Sequence, residues 1–255
     1  MKLQGYVVET AQVTCSQRDE MYSLMQAHYN NAYRDVFEAD LAEKPWVILL
    51  MDDRLRVKGF STQMLLEVNC AGEQVTALFS GDTIVHRSWW GRNPLSRVWG
   101  RFALSLIDCF PPGSLYWFLI SKGYKTYRFL PLFFHVFFPH LERPLPSREA
   151  AILAAFARRK FPESFDEEAG VVRAAADQCC LRSGVADITS ARRRDPHVAF
   201  FERKNPGHQQ GDELCCLAPL ARENFTTAAY RVMDLPRPLE SGIASLRRRE
   251  PAEQR

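Results

Sequence analysis

Missing from this sequence is every short motif that marks a common chemistry on its own: it holds no GxSxG, no HExxH, no Walker loop and no GxGxxG. A nucleophile-elbow hydrolase, a zinc protease helix, a P-loop nucleotidase and a dinucleotide fold are not the first readings. Charge of one sign is also scarce, since 33 basic and 30 acidic residues leave a formal +3. That field is too small to draw nucleic acid to the whole chain, so no nucleic-acid partner is expected. Seven cysteines include the neighbours Cys179-Cys180 and Cys215-Cys216, yet there is no CxxC and no Cys/His cluster at zinc spacing. No metal is expected, and a reduced, cytoplasmic setting fits best. The most apolar window, Leu115 to Phe138, is cut by Lys122, Lys125, Arg128 and Pro131 into pieces far shorter than the ~20 apolar residues a membrane span needs. The opening MKLQGYVVETAQV carries Gln, Glu and Thr where an export signal needs its apolar region, and no internal repeat is visible.

What is present is apolar bulk: 46% hydrophobic and 12% aromatic residues in 255 positions. That is enough for one large core, or a main domain with an addition. Ser16, with Asp19 three residues on, predicts a helix whose face is Met21, Leu24, Met25, His28, Ala32 and Val36. Strands are predicted over 46–51, from Val57 to about Val68, and from Gln74 to Val85. The short turns at Asp52-Asp53-Arg54 and Ala71-Gly72-Glu73 imply an antiparallel meander. The period then changes to three and four over Leu95, Val98, Trp99, Phe102, Leu106 and Phe110, a helix ended by Pro111-Pro112-Gly113. A buried strand over 115–120 and a second helix over roughly 124–138, interrupted at Pro131, complete a strand-helix-strand crossing that requires parallel neighbours. Farther on, LERPLPS reads as a connector, Arg148 to Lys160 as a helix, and 198–201 and 214–217 as short strands.

The stretch GDTIVHRSWWGRNPL holds the most specific signal. Asn93 is a preferred helix cap and Pro94 a preferred first helical residue, so a helix starts just after Arg92. Its unpaired amides and roughly half a positive charge suit an anion, and Arg87, Arg92, Arg97 and Arg101 add side-chain charge. The loop is built like a phosphate site, with Trp90 and Gly91 at its turn.

The order helix, three antiparallel strands, basic glycine loop, helix, strand, helix resembles the GNAT acyltransferase superfamily over roughly residues 1–140. The resemblance implies an α/β fold of the α+β type: a mixed, mainly antiparallel sheet flanked by helices. Residues 1–140 would form the acyltransferase core, 141–234 a helical and short-strand extension packed on it, and 235–255 a polar, mobile tail. It further implies that 85–95 is the acyl-donor loop, with Arg87, Trp90, Gly91, Arg92, Asn93 and Arg97 binding the donor. The family loop usually has a second glycine where Asn93 and Pro94 stand here. The donor implied is therefore either acyl-CoA or an acyl group on the phosphopantetheine arm of an acyl carrier protein.

Acyl transfer from a thioester to an amine needs the amine deprotonated, the oxyanion held and the leaving thiolate protonated. Asp82, inside an apolar strand with Gly81 able to make a bulge, is the first candidate base. His86 has the better intrinsic pKa. The family places a tyrosine acid at the start of the helix after the 115–120 strand, which implies Tyr127 first and Tyr124 second. Glu67, Trp117, Phe118 and Phe129 are candidates for substrate binding, the aromatics as walls for a medium or long acyl chain. The expected function is N-acyl transfer to a small-molecule or peptide amine. The alternative is a non-catalytic acyl-thioester-binding or protein-interaction module on the same scaffold. Gly81-Asp82-Thr83 is also similar to the Gly-Asp-Ser of an esterase family, but Thr83 stands in the nucleophile's place and no Asp-x-x-His follows. The arginine strings 192–194 and 247–249, lacking interleaved aromatics, read as solvated faces.

Overall fold

The computed structural model describes residues 3–92 and 94–237. In chain order its elements are β1 (Gln4–Glu9), α1 (Cys15–His28), β2 (Tyr29–Asn30), α2 (Arg34–Ala42), β3 (Trp46–Met51), β4 (Val57–Cys70) and β5 (Glu73–Val85). There follow α3 (Pro94–Ile107), β6 (Leu115–Ser121), α4 (Tyr124–Tyr127), α5 (Phe129–Phe133), α6 (Ser147–Lys160), β7 (Phe165–Asp166) and β8 (Val171–Val172). The last elements are β9 (Cys180–Leu181), α7 (Pro196–Lys204), β10 (Glu213–Pro219) and α8 (Thr227–Met233).

Eight strands form one sheet in the order β1-β3-β4-β5-β6-β10-β8-β7, while β2 and β9 pair separately. All neighbours in the large sheet are antiparallel except β5 and β6. The fold is therefore a mixed, mainly antiparallel sheet flanked by helices. Its strands read as near-continuous apolar runs because both faces are covered. Val47 and Leu49 meet α1 and α2 on one side, and Ile48 and Leu50 meet α3 on the other. Along β5, Ala77 and Phe79 pack against α6 while Leu78 faces the cluster under α3, α5, α7 and α8. The β4–β5 hairpin turns through Ala71 and Gly72, both at positive φ, the two-residue geometry that right-twisted strands favour.

Three expectations are corrected. The first helix is two: Thr14, not Ser16, caps α1, in a capping box with Gln17. The chain then leaves the helix at Tyr29, with Asn31 at positive φ, before α2 begins, so Val36 ends up exposed. The helix expected over 124–138 is only α4 and α5. From Phe134 the chain runs extended, with Phe138 bridging to Leu217. The strand expected at 198–201 lies inside α7, which Asp195 caps and Pro196 opens. Between 141 and 234 the chain supplies β10, β8 and β7 to the main sheet, so β6 lies between β5 and β10. Of the tail expected at 235–255, residues from 238 onward lie outside the described residues.

Candidate functional site

Pairing of β5 with β6 runs from Thr76–Leu115 to Ser80–Leu119 and stops. Beyond it, β6 continues along β10 while β5 continues along β4 to Val85, so the two strands part. At the parting point β5 has an extra residue. Ser61 pairs with Thr83 and Gln63 with Ser80, leaving Gly81 and Asp82 opposite Thr62 alone. Glycine is required there by close approach, since a Cβ on residue 81 would sit 2.6 Å from Thr62 Oγ1 and 3.3 Å from Lys44 Cε. The predicted bulge is thus present. Past it, the edge of β5 that faces the gap has no strand to bond among the described residues.

Into this gap opens a cleft of about 840 Å³. Its walls come from both sides of the sheet: Leu95 and Ser96 in the first turn of α3, and Lys160 and Phe161 at the end of α6. Asp82 lines it and makes no hydrogen bond or ion pair among the described residues. Burial, reinforced by the negative charge of Asp40, pushes its carboxyl up to about 7 despite the opposing charges of Lys44 and Lys122.

The cleft floor is a charged cluster. Lys122, buried, lies 3.2 Å from Glu213 and donates to the Cys179 carbonyl at 2.9 Å. Burial alone would lower this lysine, but Glu213, Cys179 and Tyr29 hold its ammonium above the ordinary value. Lys44, wholly buried, is ion-paired with Asp40. With Lys122–Glu213 and Lys44–Asp40 each balanced, Asp82 is left without a counter-charge. Tyr29 stands beside it, its phenol raised by burial and by the Asp82 charge. Tyr124 also lines the cleft, and its hydroxyl has no partner among the described residues. On α1, His28 lines the cleft and donates from Nδ1 to Leu24 O at 2.8 Å, while its buried Nε2 has no partner among the described residues. Burial and the nearby charges of Arg87, His86 and Lys125 lower its pKa, and so favour the neutral ring.

The loop before α3 spends its own amides. Arg87–Trp89 form a 3-10 turn in which the N–H groups of Trp89 and Trp90 bond back to His86 and Arg87, and that of Ser88 bonds to His86 Nδ1. Gly91 takes φ +81, which reverses the chain into α3. The Trp90 ring projects into the cleft, its Nε1 donating to Val85 O at 2.8 Å. Lys125 Nζ sits 3.6 Å from the ring centroid and Arg87 Cζ 5.4 Å. Burial, with Arg192 and Arg87 nearby, lowers the Lys125 pKa. Arg92 and Arg192 also line the cleft, so one arginine of the 192–194 string faces the site and not only solvent.

Of the residues singled out by sequence, Asp82, Trp90, Gly91, Arg92, Tyr124 and Phe129 line the cleft, and Arg87 stacks beside it. Asn93 lies outside the described residues. The others point elsewhere. Tyr127 is fully buried among Phe137, Phe200 and Phe201 and donates its hydroxyl to Pro139 O at 3.1 Å, away from the cleft. His86 is spent as the cap of the 3-10 turn, with Ser88 as its partner. Arg97 pairs with Asp234 at 2.7 Å and Arg101 donates to Met233 O, so both bind α3 to the end of α8. Glu67 is exposed near the far end of the hairpin, bonded to Gln74. Phe118 faces α6, stacked on Phe156. Trp117 packs against Trp99 and Phe134, at centroid distances of 4.3 and 5.4 Å, and lies outside the main cleft, lining a small pocket beside it.

Sequence reading passed over Tyr29, Asp40, Lys44, Lys122, Lys125, Cys179, Arg192 and Glu213 as site residues. Lys122 alone carried a signal, an ionisable residue at the end of an apolar strand just before a glycine. Among the described residues no group of three or more His, Cys, Asp or Glu side chains is placed to hold a metal ion, and no helix is long and apolar enough to cross a membrane.

No family model matches the sequence, and no curated protein does. Among solved structures, the chain is similar to a probable N-acyltransferase from Enterococcus faecalis V583, at TM-score 0.40 and 14% identity over 50% of this chain and 31% of that one. It is also similar to a GNAT-family N-acetyltransferase from Escherichia coli in complex with CoA, at TM-score 0.37 and 14% identity over 51% of this chain and 69% of that one. A GCN5-related N-acetyltransferase from Kribbella flavida gives TM-score 0.37 and 14% identity over 52% of this chain and 35% of that one. The match thus spans about a third of the first of these proteins, and the likeness is a distant one of fold, to GNAT-type structures.

Proposed function

We propose that this protein transfers an acyl group from a thioester to an amine at the gap between β5 and β6. One observation carries the reading: an unpaired carboxylate, Asp82, sits at a strand bulge where β5 loses its neighbour, in a cleft that Tyr124 also enters. The free edge of β5 supports a thioester lying alongside it, because a strand edge offers N–H groups to the carbonyl oxygen and to the amides of a pantetheine arm.

Asp82, with a pKa of about 7, is matched to accept a proton from an ammonium near neutral pH. The freed amine attacks the carbonyl carbon, the C–S bond breaks as the C–N bond forms, and the proton left on nitrogen goes to water. The departing thiolate takes its proton from Tyr124. Lacking a counter-charge, the Asp82 carboxylate also favours an acceptor that arrives as a cation. Phosphates of the donor, whether CoA or a carrier-borne phosphopantetheine, would meet side chains in place of loop amides. Arg92, Lys125 and Arg192 line the cleft.

The test is free-thiol release, followed with a chromogenic disulfide, from acetyl- and butyryl-CoA in the presence of a panel of primary amines. Release that requires both thioester and amine, and that falls in Asp82→Asn, supports the reading. Release independent of amine, or unaffected by Asp82→Asn, would overturn it.

A further inference from the structure

Beneath the bulge, on the α3 side of the sheet, lies a small side pocket of about 50 Å³. It shares Gly81, Thr83, Ser96, Thr126 and other residues with the main cleft where the two join, and Trp99, Trp117 and Phe133 bound it beyond them. A water-sized group needs about 10–15 Å³ of such space, so roughly three to five non-hydrogen atoms fit. Three walls are aromatic or aliphatic. The fourth, on the sheet, is hydroxylic.

The hydrogens of that wall can be traced. Thr83 can donate its single hydroxyl hydrogen to Gly81 O at 3.1 Å. Either oxygen can donate in the 2.7 Å contact between Ser61 and Thr83, and only with Ser61 as the donor are both hydroxyl hydrogens bonded. Ser61 itself accepts from Gln63 Nε2 at 2.7 Å. Ser80 donates to Gln63 Oε1 and accepts from both Trp99 Nε1 and Trp117 Nε1, at 3.1 and 3.0 Å, which exhausts its capacity. A hydroxyl oxygen has two acceptor sites, so in that arrangement Ser61 and Thr83 each keep one free and have no hydrogen left to give. Ser96 and Thr126, whose hydroxyls are not committed in this way, stand where the pocket joins the cleft.

We propose that this pocket receives the acyl group and selects one that is short and hydroxylated, its O–H directed at Ser61 and Thr83. The inference rests on the acyl-transfer reading, which lays the thioester along β5 with the charged cleft floor left for the amine. An alkyl chain of the same length leaves the two acceptors unmet. A keto group sets a third acceptor against them. A chain of eight carbons meets Trp99 and Trp117, which are locked in place by Ser80.

Direct titration tests it with CoA thioesters, and the same acyl groups on pantetheine, of 2-, 3- and 4-hydroxybutyrate, butyrate, 3-oxobutyrate and octanoate, against unacylated CoA and pantetheine. At least one hydroxybutyryl thioester should bind about tenfold more tightly than butyryl, the size of one net hydrogen bond, and 3-oxobutyryl and octanoyl no better than butyryl. Thr83→Val, nearly isosteric, should abolish the difference in affinity between that hydroxybutyryl thioester and butyryl; Ser61→Ala should do the same. Equal affinity for all the four-carbon groups, or a preference for octanoyl, would overturn the pocket assignment and leave acyl transfer standing. Failure of every thioester and of both unacylated carriers to bind would remove acyl transfer as well.

Discussion

Asp82 costs the fold something that its neighbours do not repay. Its carboxyl is pushed from 3.8 up to about 7, so the folded state holds this proton more tightly than the unfolded chain does. Linkage then fixes the sign: stability is highest below the unfolded pKa, falls as pH rises, and is fully reduced above about 7. Asp82→Asn should therefore raise the melting temperature at pH 8, with little change at pH 4, while amine-dependent thiol release drops by about 10²-fold or more. A thermal melt at the two pH values checks the first part, and a variant that melts lower at pH 8 would contradict it. For the wild type, kcat/KM should rise with pH through about 7 and level off. The two tyrosines separate in the same way. Tyr124→Phe should lower turnover with stability unchanged, because its hydroxyl has no partner among the described residues. Tyr127→Phe should cost about 1 kcal/mol of stability, the bond to Pro139 O, and leave the per-molecule rate intact. Sequence position ranked these two in the opposite order. Both begin the helix after β6, and only the helix's rotation about its axis, set by packing against α7, decides which hydroxyl reaches the cleft.

At the scale of elements, the bulge is the part most exposed to test. Gly81→Ala would drive a Cβ to 2.6 Å from Thr62 Oγ1 and 3.3 Å from Lys44 Cε. Thr62 is wholly buried and Lys44 is tied to Asp40, so neither yields freely. A loss of about 1–3 kcal/mol is expected, together with loss of activity beyond what the stability change explains. Urea unfolding and the thiol assay read the two effects separately. Much at this scale was legible from sequence: the β3–β4–β5 meander follows from apolar runs broken by polar turns, and the bulge from a glycine beside an acid within a strand. What period alone did not reveal was the break after α1, where Tyr29 leaves the helix to pair with Leu181 far along the chain. Arg97 and Arg101 misled for a similar reason. Two arginines one helical turn apart look like an anion clamp, and they grip the end of α8 instead. Arg92→Glu should accordingly weaken thioester binding more at low salt than at high, whereas Arg97→Glu should leave it unchanged.

The whole molecule explains why the cleft floor was hidden. Lys44, Lys122, Cys179 and Glu213 come from four well-separated stretches, and no local spacing joins them until the sheet is assembled. Nor do residues 141–237 merely surround a finished core: β10 covers the outer edge of β6, and Phe200 and Phe201 enclose Tyr127. A chain ending at residue 140 should fail to show a cooperative thermal transition, as judged by circular dichroism, even though it retains β1, β3, β4, β5 and β6.

The position of β6 between β5 and β10 also has a consequence in time. When β6 leaves the ribosome, its inner partner β5 is already made, but Glu213–Pro219 is still to come, after everything from α4 to α7 has been synthesised. At about 5–20 residues per second that interval is on the order of ten seconds, during which one apolar strand edge is open. Pairings this distant along the chain also slow refolding, because the loop must close before any bond rewards it. The nascent protein is thus most prone to aggregate after Ser121 has emerged and before Pro219 has, and chaperones that shelter apolar edges would matter most within that window.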